Sequence, residues 1–166
     1  MKALFVSRKD IVSKTPIGGV VDADNLMQYI EIAQDLNIEP QLGTELYERL
    51  QNDIINNTLA GDYKALLTDY IKPMLIHFAA AEFLAYAAYK VANGGVYKHT
   101  SENGESVSKD EIDFLVEKQR KTAKVYEDRF NDYMCSNAST KFPEFYSNSG
   151  SDIHPSRRTN FTNWVL

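Results

Sequence analysis

The sequence predicts an all-α protein: a bundle of four to five helices with a small β-hairpin or loop insertion and an extended arm at each end. Apolar residues recur at spacings of three and four over 22–141, which is the period of an amphipathic helix. Clusters of Gly, Pro and Asn separate these stretches. The 166 residues, 43% hydrophobic and 25% charged, suit one globular domain. We divide the chain into an N-terminal arm (1–21), a helical bundle (22–141) with a projecting loop or hairpin (94–107), and a C-terminal tail (142–166).

The N-terminal arm is basic. It has four Lys or Arg residues and one Asp, which gives a net charge of +3. Pro16, Gly18 and Gly19 oppose a continuous helix, so we expect the arm to be extended. The next segment, 22–60, has eight acidic residues and only Arg49, a net charge of −7. Two interpretations stay open: a disordered basic tail beside a soluble acidic helical hairpin, or an arm and a hairpin that meet complementary surfaces of neighbouring subunits.

The first two predicted helices form this acidic hairpin. The first covers 22–36, where Asp22 or Asp24 can cap the N-terminus and Pro40 forces a break. The second covers 41–55 and ends in a polar, Asn-rich turn. Its apolar residues repeat every four positions: Leu42, Leu46, Leu50 and Ile54.

Two longer helices are predicted to complete the bundle. Asp62 can cap a third segment, and Pro73 either kinks it or begins a fourth helix over 74–92 that is rich in alanine. Ser108 and Glu111 form a capping box at the start of a fifth helix of about 25 residues. We expect the fourth and fifth helices to bury these side chains: Leu75, Phe78, Leu84, Leu115, Tyr126 and Phe130.

A polar segment, 96–107, separates the fourth and fifth helices. Its Asn103-Gly104 pair is a strong signal for a two-residue hairpin turn. We predict a small β-hairpin or an exposed loop that contacts another protein, because loops on rigid scaffolds commonly do so. The predicted contact residues are Val96, Tyr97, Asn103 and Gly104.

The C-terminal tail, 142–166, is rich in Ser and Asn but also contains aromatic residues, which flexible linkers rarely have. Fully extended, it would reach about 80 Å. We expect it to anchor a partner, with aromatic rings in pockets and arginines paired to carboxylates. The predicted anchors are Phe142, Phe145, Tyr146, Arg157, Arg158, Phe161 and Trp164. In the alternative, Phe145, Tyr146 and Trp164 fold back onto the protein's own bundle.

No pattern in the sequence indicates catalysis, a metal or a cofactor, and we predict that the protein is not an enzyme. The three histidines lack metal-ligand spacing, and His77 is expected to be a core or interface residue with a hydrogen-bond partner. The single Cys135 excludes an internal disulfide and a Cys-based zinc site. Phosphate-binding glycine patterns, a signal peptide and an apolar stretch of membrane-spanning length are not found, so no membrane contact is expected.

Five phrases follow one another between residues 22 and 146: DADNLMQYIEIAQDLNIEPQLGTELYERL, YIKPMLIHFAAAEFL, NGGVYKHTSENGESVS, YEDRFNDYM and FPEFY. In these phrases and in their order, the chain resembles head-to-tail connector (adaptor) proteins of tailed phages. It is similar in particular to the connector, or first ring, proteins of phages of Bacteroidetes, including the crAss-like group. The N-terminal arm and the last twenty residues resemble the family least.

The resemblance implies a virion protein that is assembled in the host cytoplasm and forms a homo-oligomeric ring, commonly a dodecamer, at the head-to-tail junction. Such a ring docks under the portal protein, lets double-stranded DNA pass through its lumen without specific binding, and carries a downstream tail ring protein. The tail would then bind the portal, and the 94–107 insertion would contact a neighbouring subunit or the next tail ring. The acidic segment, 22–60, would either line the channel, where it lets DNA slide, or face outward.

Two other classes of function stay open. A small helical scaffold or regulatory protein that binds one protein partner would also have a bundle and an aromatic tail. A helical hydrolase or nuclease would have to assemble its site from scattered acids and His77. The mass of the purified protein and images of its assemblies separate these readings from a ring.

Overall fold

Helices make up most of the described chain, which confirms the predicted all-α bundle. The structure is a computed structural model that describes residues 2–18, 23–87, 89–92, 95–98, 108–147 and 153–156. Its α-helices in these ranges are α1 (Arg8–Lys14), α2 (Ala23–Ala33), α3 (Glu39–Leu42), α4 (Thr44–Ile55), α5 (Gly61–Ala65), α6 (Lys72–Ala87) and α7 (Lys109–Lys141). They are joined by two π-helical turns (Gln34–Ile38 and Leu66–Ile71), a 3₁₀ turn (Pro143–Phe145) and an antiparallel hairpin of β1 (Tyr89–Ala92) and β2 (Gly95–Lys98).

Helix α6 is the centre of the bundle, and both α2 and α7 pack against it. Tyr29 of α2 makes an edge-on ring contact with Phe83, whereas Tyr126 of α7 stacks on His77. Since six residues turn an α-helix by about 600°, Phe83 and His77 lie about 120° apart around α6. Helices α2 and α7 therefore cover different sides of the central helix.

Wide turns accommodate both Pro40 and Pro73. Each proline lies two residues after a π turn, Gln34–Ile38 in one case and Leu66–Ile71 in the other. Proline cannot donate a backbone hydrogen bond, and its ring clashes with the carbonyl four residues before it; in both cases that carbonyl belongs to the wide turn. The helical path therefore continues, and the break predicted at Pro40 is wrong. The path ends instead at Gly43, where φ is 75°.

The predicted core is correct in part. Leu75 and Phe130 are fully buried, and Phe78 and Tyr126 are partly buried against the same core. Leu84 is only half-buried, and Leu115 was wrongly predicted, since it is 38% exposed. The buried face of α7 includes polar residues, so the spacing of apolar residues alone does not identify this face. It consists of Gln119, Ala123, Glu127, Phe130, Asn131, Met134 and Ala138.

The prediction of an extended arm over 1–21 is wrong. Its middle forms α1, which begins with a capping box: the Asp10 N–H donates to the Ser7 hydroxyl, and the Asp10 carboxylate accepts from the Ser7 N–H at 2.8 Å. The glycine and proline content that suggested an extended arm is confined to the residues after this helix. Its apolar side chains belong to the main core: Phe5, Val6, Ile11 and Ile17.

A hairpin forms that overlaps the start of the predicted 94–107 segment. The pairing of β1 with β2 leaves only Asn93 and Gly94 between the strands. This Asn-Gly pair carries the same turn signal as Asn103-Gly104, which lies outside the described residues. Because β1 begins soon after α6 ends, the fourth helix predicted over 74–92 is too long.

Helix α7 has 33 residues, more than predicted, and is about 50 Å long. Its predicted capping box is confirmed: the Glu111 N–H donates to the Ser108 hydroxyl, and the Ser108 N–H donates to the Glu111 carboxylate at 2.8 Å. No residue of 109–118 is fully buried, although Ile112 and Val116 are partly covered. This end of α7 therefore projects beyond the packed core. We call residues 109–118 and the β1–β2 hairpin the projecting end.

Candidate interaction surfaces

Two of the predicted tail anchors belong to the protein's own core. Phe142 is fully buried, and Phe145 is nearly so. The Phe142 ring packs against the rings of Tyr63 and Tyr133 at centroid distances of 5.3 and 6.2 Å. As partner-binding residues, Phe142 and Phe145 were wrongly predicted, because the 3₁₀ turn after α7 directs both rings back to the bundle. Tyr146 remains 42% exposed.

A polar cluster fastens this 3₁₀ turn to α4 and α5. The Tyr63 hydroxyl donates to the Glu144 carboxylate at 2.8 Å. Arg49 lies over the Tyr63 ring at 5.1 Å, 3.0 Å from Asp53 and 3.9 Å from Glu144. Burial and the neighbouring Glu144 carboxylate raise the pKa of Tyr63 to about 12. The hydroxyl therefore stays protonated near neutral pH and holds the carboxylate in place.

Residues 153–156 return to the bundle at the corner between α3 and α4. The Thr44 N–H donates to the Ile153 carbonyl at 2.9 Å, and the Ile153 N–H donates to the Thr44 hydroxyl at 3.0 Å. The Ser156 N–H donates to the Pro40 carbonyl at 2.9 Å. The tail is therefore attached to its own subunit as far as Ser156.

Glycine is required at the same corner. Gly43 has a φ of 75°, which favours glycine, and an added Cβ would lie 2.5 Å from the Pro155 ring. The requirement for Gly43 was not predicted, although its position after Pro40 and before an amphipathic helix is a usable signal. The remaining predicted tail anchors lie outside the described residues: Arg157, Arg158, Phe161 and Trp164.

The predicted inter-subunit loop is described only in its first part. Val96 and Tyr97 lie on β2, opposite Val91 and Lys90 of β1. They belong to the projecting end as defined above. Their role as contact residues, and that of Asn103 and Gly104, stays a prediction.

Two glutamines hold the backbone of the N-terminal segment. Gln34 is fully buried; its side-chain oxygen accepts from the Phe5 N–H at 2.7 Å, and its amide nitrogen donates to the Ala3 carbonyl and the Tyr47 hydroxyl. The Gln51 side chain accepts from the Ala3 N–H at 2.5 Å and donates to the Ala3 carbonyl at 2.9 Å. These side chains supply the partners that a neighbouring β-strand would otherwise give.

We call the contacts of Gln34 and Gln51 with residues 3–5 the N-terminal latch. The sequence contains a signal for it at Gln34. Gln34, the first residue of the π turn after α2, lies four residues after the buried Ile30, and a buried amide requires hydrogen-bond partners. Next to the latch, Lys2 pairs with Asp35 and lies 5.7 Å from the centre of the Tyr47 ring. The basic arm and the acidic hairpin therefore meet within one chain, so the reading of the arm as a disordered tail is wrong.

The outer face of α7 combines apolar and basic side chains. Phe114 and Val125 are 63% and 60% exposed. Lys118 and Lys121 lie between them at spacings of four, three and four residues, and the four residues help to line a shallow groove. Five basic and two acidic residues give 118–129 a net charge of +3.

The structure gives no evidence for a catalytic, metal-binding or membrane-spanning site in the part of the chain that it describes. His77 Nδ1 lies 2.7 Å from Gln119 Oε1, and its ring stacks on Tyr126, which confirms the expected core histidine with a partner. Among the described residues, no group of three or more His, Cys, Asp or Glu could hold a metal ion. None of the helices in that part of the chain has the length and apolar character needed to cross a bilayer.

Comparison with known proteins assigns the chain to a family. Residues 38–154 match DUF6712, a family of unknown function. No curated protein and no solved structure matches the chain. The matched residues include the α3–α4 corner, the polar cluster at Tyr63, the central pair α6 and α7, and the first residues of the returning tail. Because they make up more than half of the 166 residues, the chain belongs to the DUF6712 family.

Proposed function

We propose that this chain is a structural protein of a phage virion, a head-to-tail connector subunit that docks under the portal as a ring. The ring extends the DNA channel and provides the platform for tail assembly. One observation carries the proposal: the start of α7 exposes two large apolar side chains at adjacent positions, Phe114 and Leu115. Neighbouring exposed apolar side chains mark surfaces that bind other proteins.

The rest of the molecule suits a rigid structural subunit. Buried amides fasten the N-terminal segment, and the Tyr63 cluster fastens the start of the tail. Such fully satisfied polar contacts specify one arrangement of the packed elements. The sequence resemblance to connector proteins, which covers 22–146, adds support that is independent of this geometry.

Within this proposal, the tail beyond Ser156 starts from a defined place. The last ten residues would leave the subunit at the α3–α4 corner and reach about 33 Å if extended. They include the predicted anchors Arg157, Arg158, Phe161 and Trp164, which we assign to the portal. The hairpin residues Val96, Tyr97, Asn103 and Gly104 are assigned to the neighbouring subunit or the next tail ring.

Assembly with the portal tests the proposal. The protein is expressed with the portal protein encoded in the same genome, and the products are analysed by native mass spectrometry and electron microscopy. We expect homo-oligomeric rings, commonly of twelve copies, bound to the portal. Replacement of Phe114 and Leu115 by Asp should prevent assembly, whereas Ile55→Asp, at an exposed apolar position on α4, should not.

The same preparation distinguishes the alternatives. A protein that stays monomeric and ignores the portal but binds one other protein would be a helical scaffold or regulatory protein. A monomer with metal-dependent hydrolytic activity would be an enzyme and would contradict our prediction. For the ring, we expect weak affinity for double-stranded DNA; tight binding that falls steeply with salt would contradict free passage of DNA.

A further inference from the structure

We propose that the outer face of α7 binds the outer face of α2 on a second copy of this chain. The inference deepens the proposed connector function and rests on it, because it identifies the two patches that join neighbouring subunits. We call the patch on α7 the basic stripe: Phe114, Lys118, Lys121 and Val125. We call the patch on α2 and the turn after it the acidic stripe: Asp24, Gln28, Glu31 and Asp35.

The two stripes have the same geometry. Each has spacings of four, three and four residues, so each forms a row about 16 Å long on one side of its helix, with Asp35 of the acidic stripe in the π turn that continues α2. The basic stripe lies on the side of α7 opposite its buried residues Ala123 and Phe130, and the acidic stripe lies opposite the buried Leu26 and Ile30. Two rows of equal length and spacing can pack side by side along their whole length.

Their charges are complementary. Residues 23–36 contain three acidic residues and no basic ones, a net charge of −3, whereas 118–129 have a net charge of +3. Lys2 already pairs with Asp35, so Glu31 carries much of the remaining negative charge at the centre of the acidic stripe. Exposed apolar residues accompany both rows: Met27 beside the acidic stripe, and Phe114 and Val125 within the basic one.

The position of the stripes favours a chain of contacts rather than a symmetric dimer. Helices α2 and α7 cover different sides of α6, so their outer faces point in different directions. In a symmetric contact between two copies of the basic stripe, Lys118 and Lys121 of one copy would face the same lysines of the other copy and repel them. A contact between unlike patches repeats from subunit to subunit and closes into a ring when the rotation per copy allows it.

Charge exchange provides the test. One variant is Lys118→Glu with Lys121→Glu, and the other is Gln28→Lys with Glu31→Lys. In each variant, the changed stripe has the same sign of charge as the stripe that it would contact, so the two should repel. Neither variant should self-associate in sedimentation at about 0.1 M NaCl, with association at least about tenfold weaker than that of the unchanged protein. An equimolar mixture should associate again, because every contact in an alternating assembly pairs opposite charges.

Matched controls keep the number of charge changes constant. Glu48→Lys with Asn52→Lys repeats the second variant on the exposed face of α4, and Lys9→Glu with Lys64→Glu repeats the first on α1 and α5. Both controls should associate as the unchanged protein does. Circular dichroism and thermal melting should show that all four variants remain folded.

Cross-linking detects weak contacts directly. In a Cys135→Ser background, Met27→Cys and Val125→Cys are prepared as separate proteins and treated with a short bismaleimide. The mixture should give cross-linked dimers, whereas each protein alone should give few. No dimer in the mixture, or equal amounts in the separate proteins, would overturn the inference.

The outcomes separate this inference from the connector function. Rings that persist in both charge variants would refute the interface and leave the connector proposal standing. Restored association in the mixture without closed rings or portal binding would support the interface and refute the connector. If the Lys118 and Lys121 variant loses affinity for DNA while its association is unchanged, the basic stripe binds nucleic acid and the inference is wrong.

Discussion

The two ends of the chain are held to the same bundle by different chemistry. At the N-terminal end, residues 2–6 are fixed through their backbone, which exchanges hydrogen bonds with the buried amides of Gln34 and Gln51. At the C-terminal end, residues 142–145 are fixed through side chains, with the Phe142 ring in the core and Glu144 bound to Tyr63.

The difference indicates what each end can tolerate. The backbone hydrogen bonds do not depend on the side chains of residues 2–6, so this part of the anchoring resides in the two glutamines; the buried Phe5 and Val6 side chains add apolar contacts with the core. Aromatic anchoring depends on the shape of each ring, and loss of one ring leaves a cavity. Substitutions should therefore be costly both in the bundle and at Phe5 and Val6 at the N-terminal end, and mainly in the tail itself at the C-terminal end.

The largest expected effect is the removal of the buried tail ring. Phe142→Ala should lower the free energy of unfolding by about 3 to 5 kcal/mol, because the rings of Tyr63 and Tyr133 would border a cavity. Chemical denaturation measures this change. Tyr146→Ala, at the exposed neighbouring ring, should cost less than about 1 kcal/mol. Equal effects of the two substitutions would contradict the distinction between core and surface in the tail.

The same residues show what the sequence could predict. Helical spacing and the capping box at Ser108 identified the central pair of helices, because both signals are local. Burial was indicated correctly for Phe142 and Phe145, but composition does not reveal which surface buries a ring. For Phe142, that surface is formed by Tyr63 on α5 and Tyr133 on α7, and only the folded chain brings it together.

The prediction of an extended N-terminal arm was wrong for a related reason. Its hydrogen-bond partners, Gln34 and Gln51, are about thirty to fifty residues away in sequence, so a reading of local composition could not find them. The π turns before Pro40 and Pro73 were also missed, because a proline predicts a break unless the preceding turn is known to widen. The hairpin of β1 and β2 overlaps only the start of the insertion predicted over 94–107, and the turn predicted at Asn103-Gly104 lies outside the described residues.

The next effect concerns the N-terminal latch. Gln34→Leu should lower the free energy of unfolding by about 2 to 3 kcal/mol, since the Phe5 N–H and the Ala3 carbonyl would lose buried partners. Hydrogen exchange of the Phe5 amide should accelerate by more than that of the core amides. Gln28→Leu, on the exposed side of the same helix, is the control and should change neither quantity. An unchanged Phe5 exchange rate would mean that apolar contacts alone hold the segment.

A glycine comparison isolates the contact made by the returning tail. Gly43 and Gly61 both have positive φ, but only Gly43 has a close neighbour, the Pro155 ring. Gly61→Ala should cost about 1 kcal/mol through backbone strain alone, and Gly43→Ala should cost about 2 kcal/mol or more. In a chain that ends at residue 147, the two costs should become similar. A difference that persists without the tail would contradict the contact with Pro155.

The pH dependence tests the Tyr63 cluster. The pKa of Tyr63 is raised from 10.0 to about 12 by burial and by Glu144, so the folded state favours the protonated phenol. This contribution to stability is complete below pH 10 and is lost as the pH rises through about 12, because the unfolded chain ionises first. Since Tyr63 is partly exposed, we expect a loss of only about 1 kcal/mol. Urea titrations between these pH values should show the loss in the unchanged protein and not in Tyr63→Phe.

The smallest expected effect on stability comes from the end of the tail, and it tests where anchoring within the subunit stops. Removal of residues 157–166 leaves the hydrogen bonds of Ile153 and Ser156 to the α3–α4 corner intact, so the melting temperature should not change. Removal of 147–166 eliminates those bonds and should lower it. If the last ten residues carry the portal anchors, both truncated proteins should fail to join portal-containing particles, and Trp164 fluorescence in the full chain should shift to shorter wavelength on binding. A shorter truncation that destabilises the isolated subunit while portal binding survives would assign Phe161 and Trp164 to the subunit's own fold.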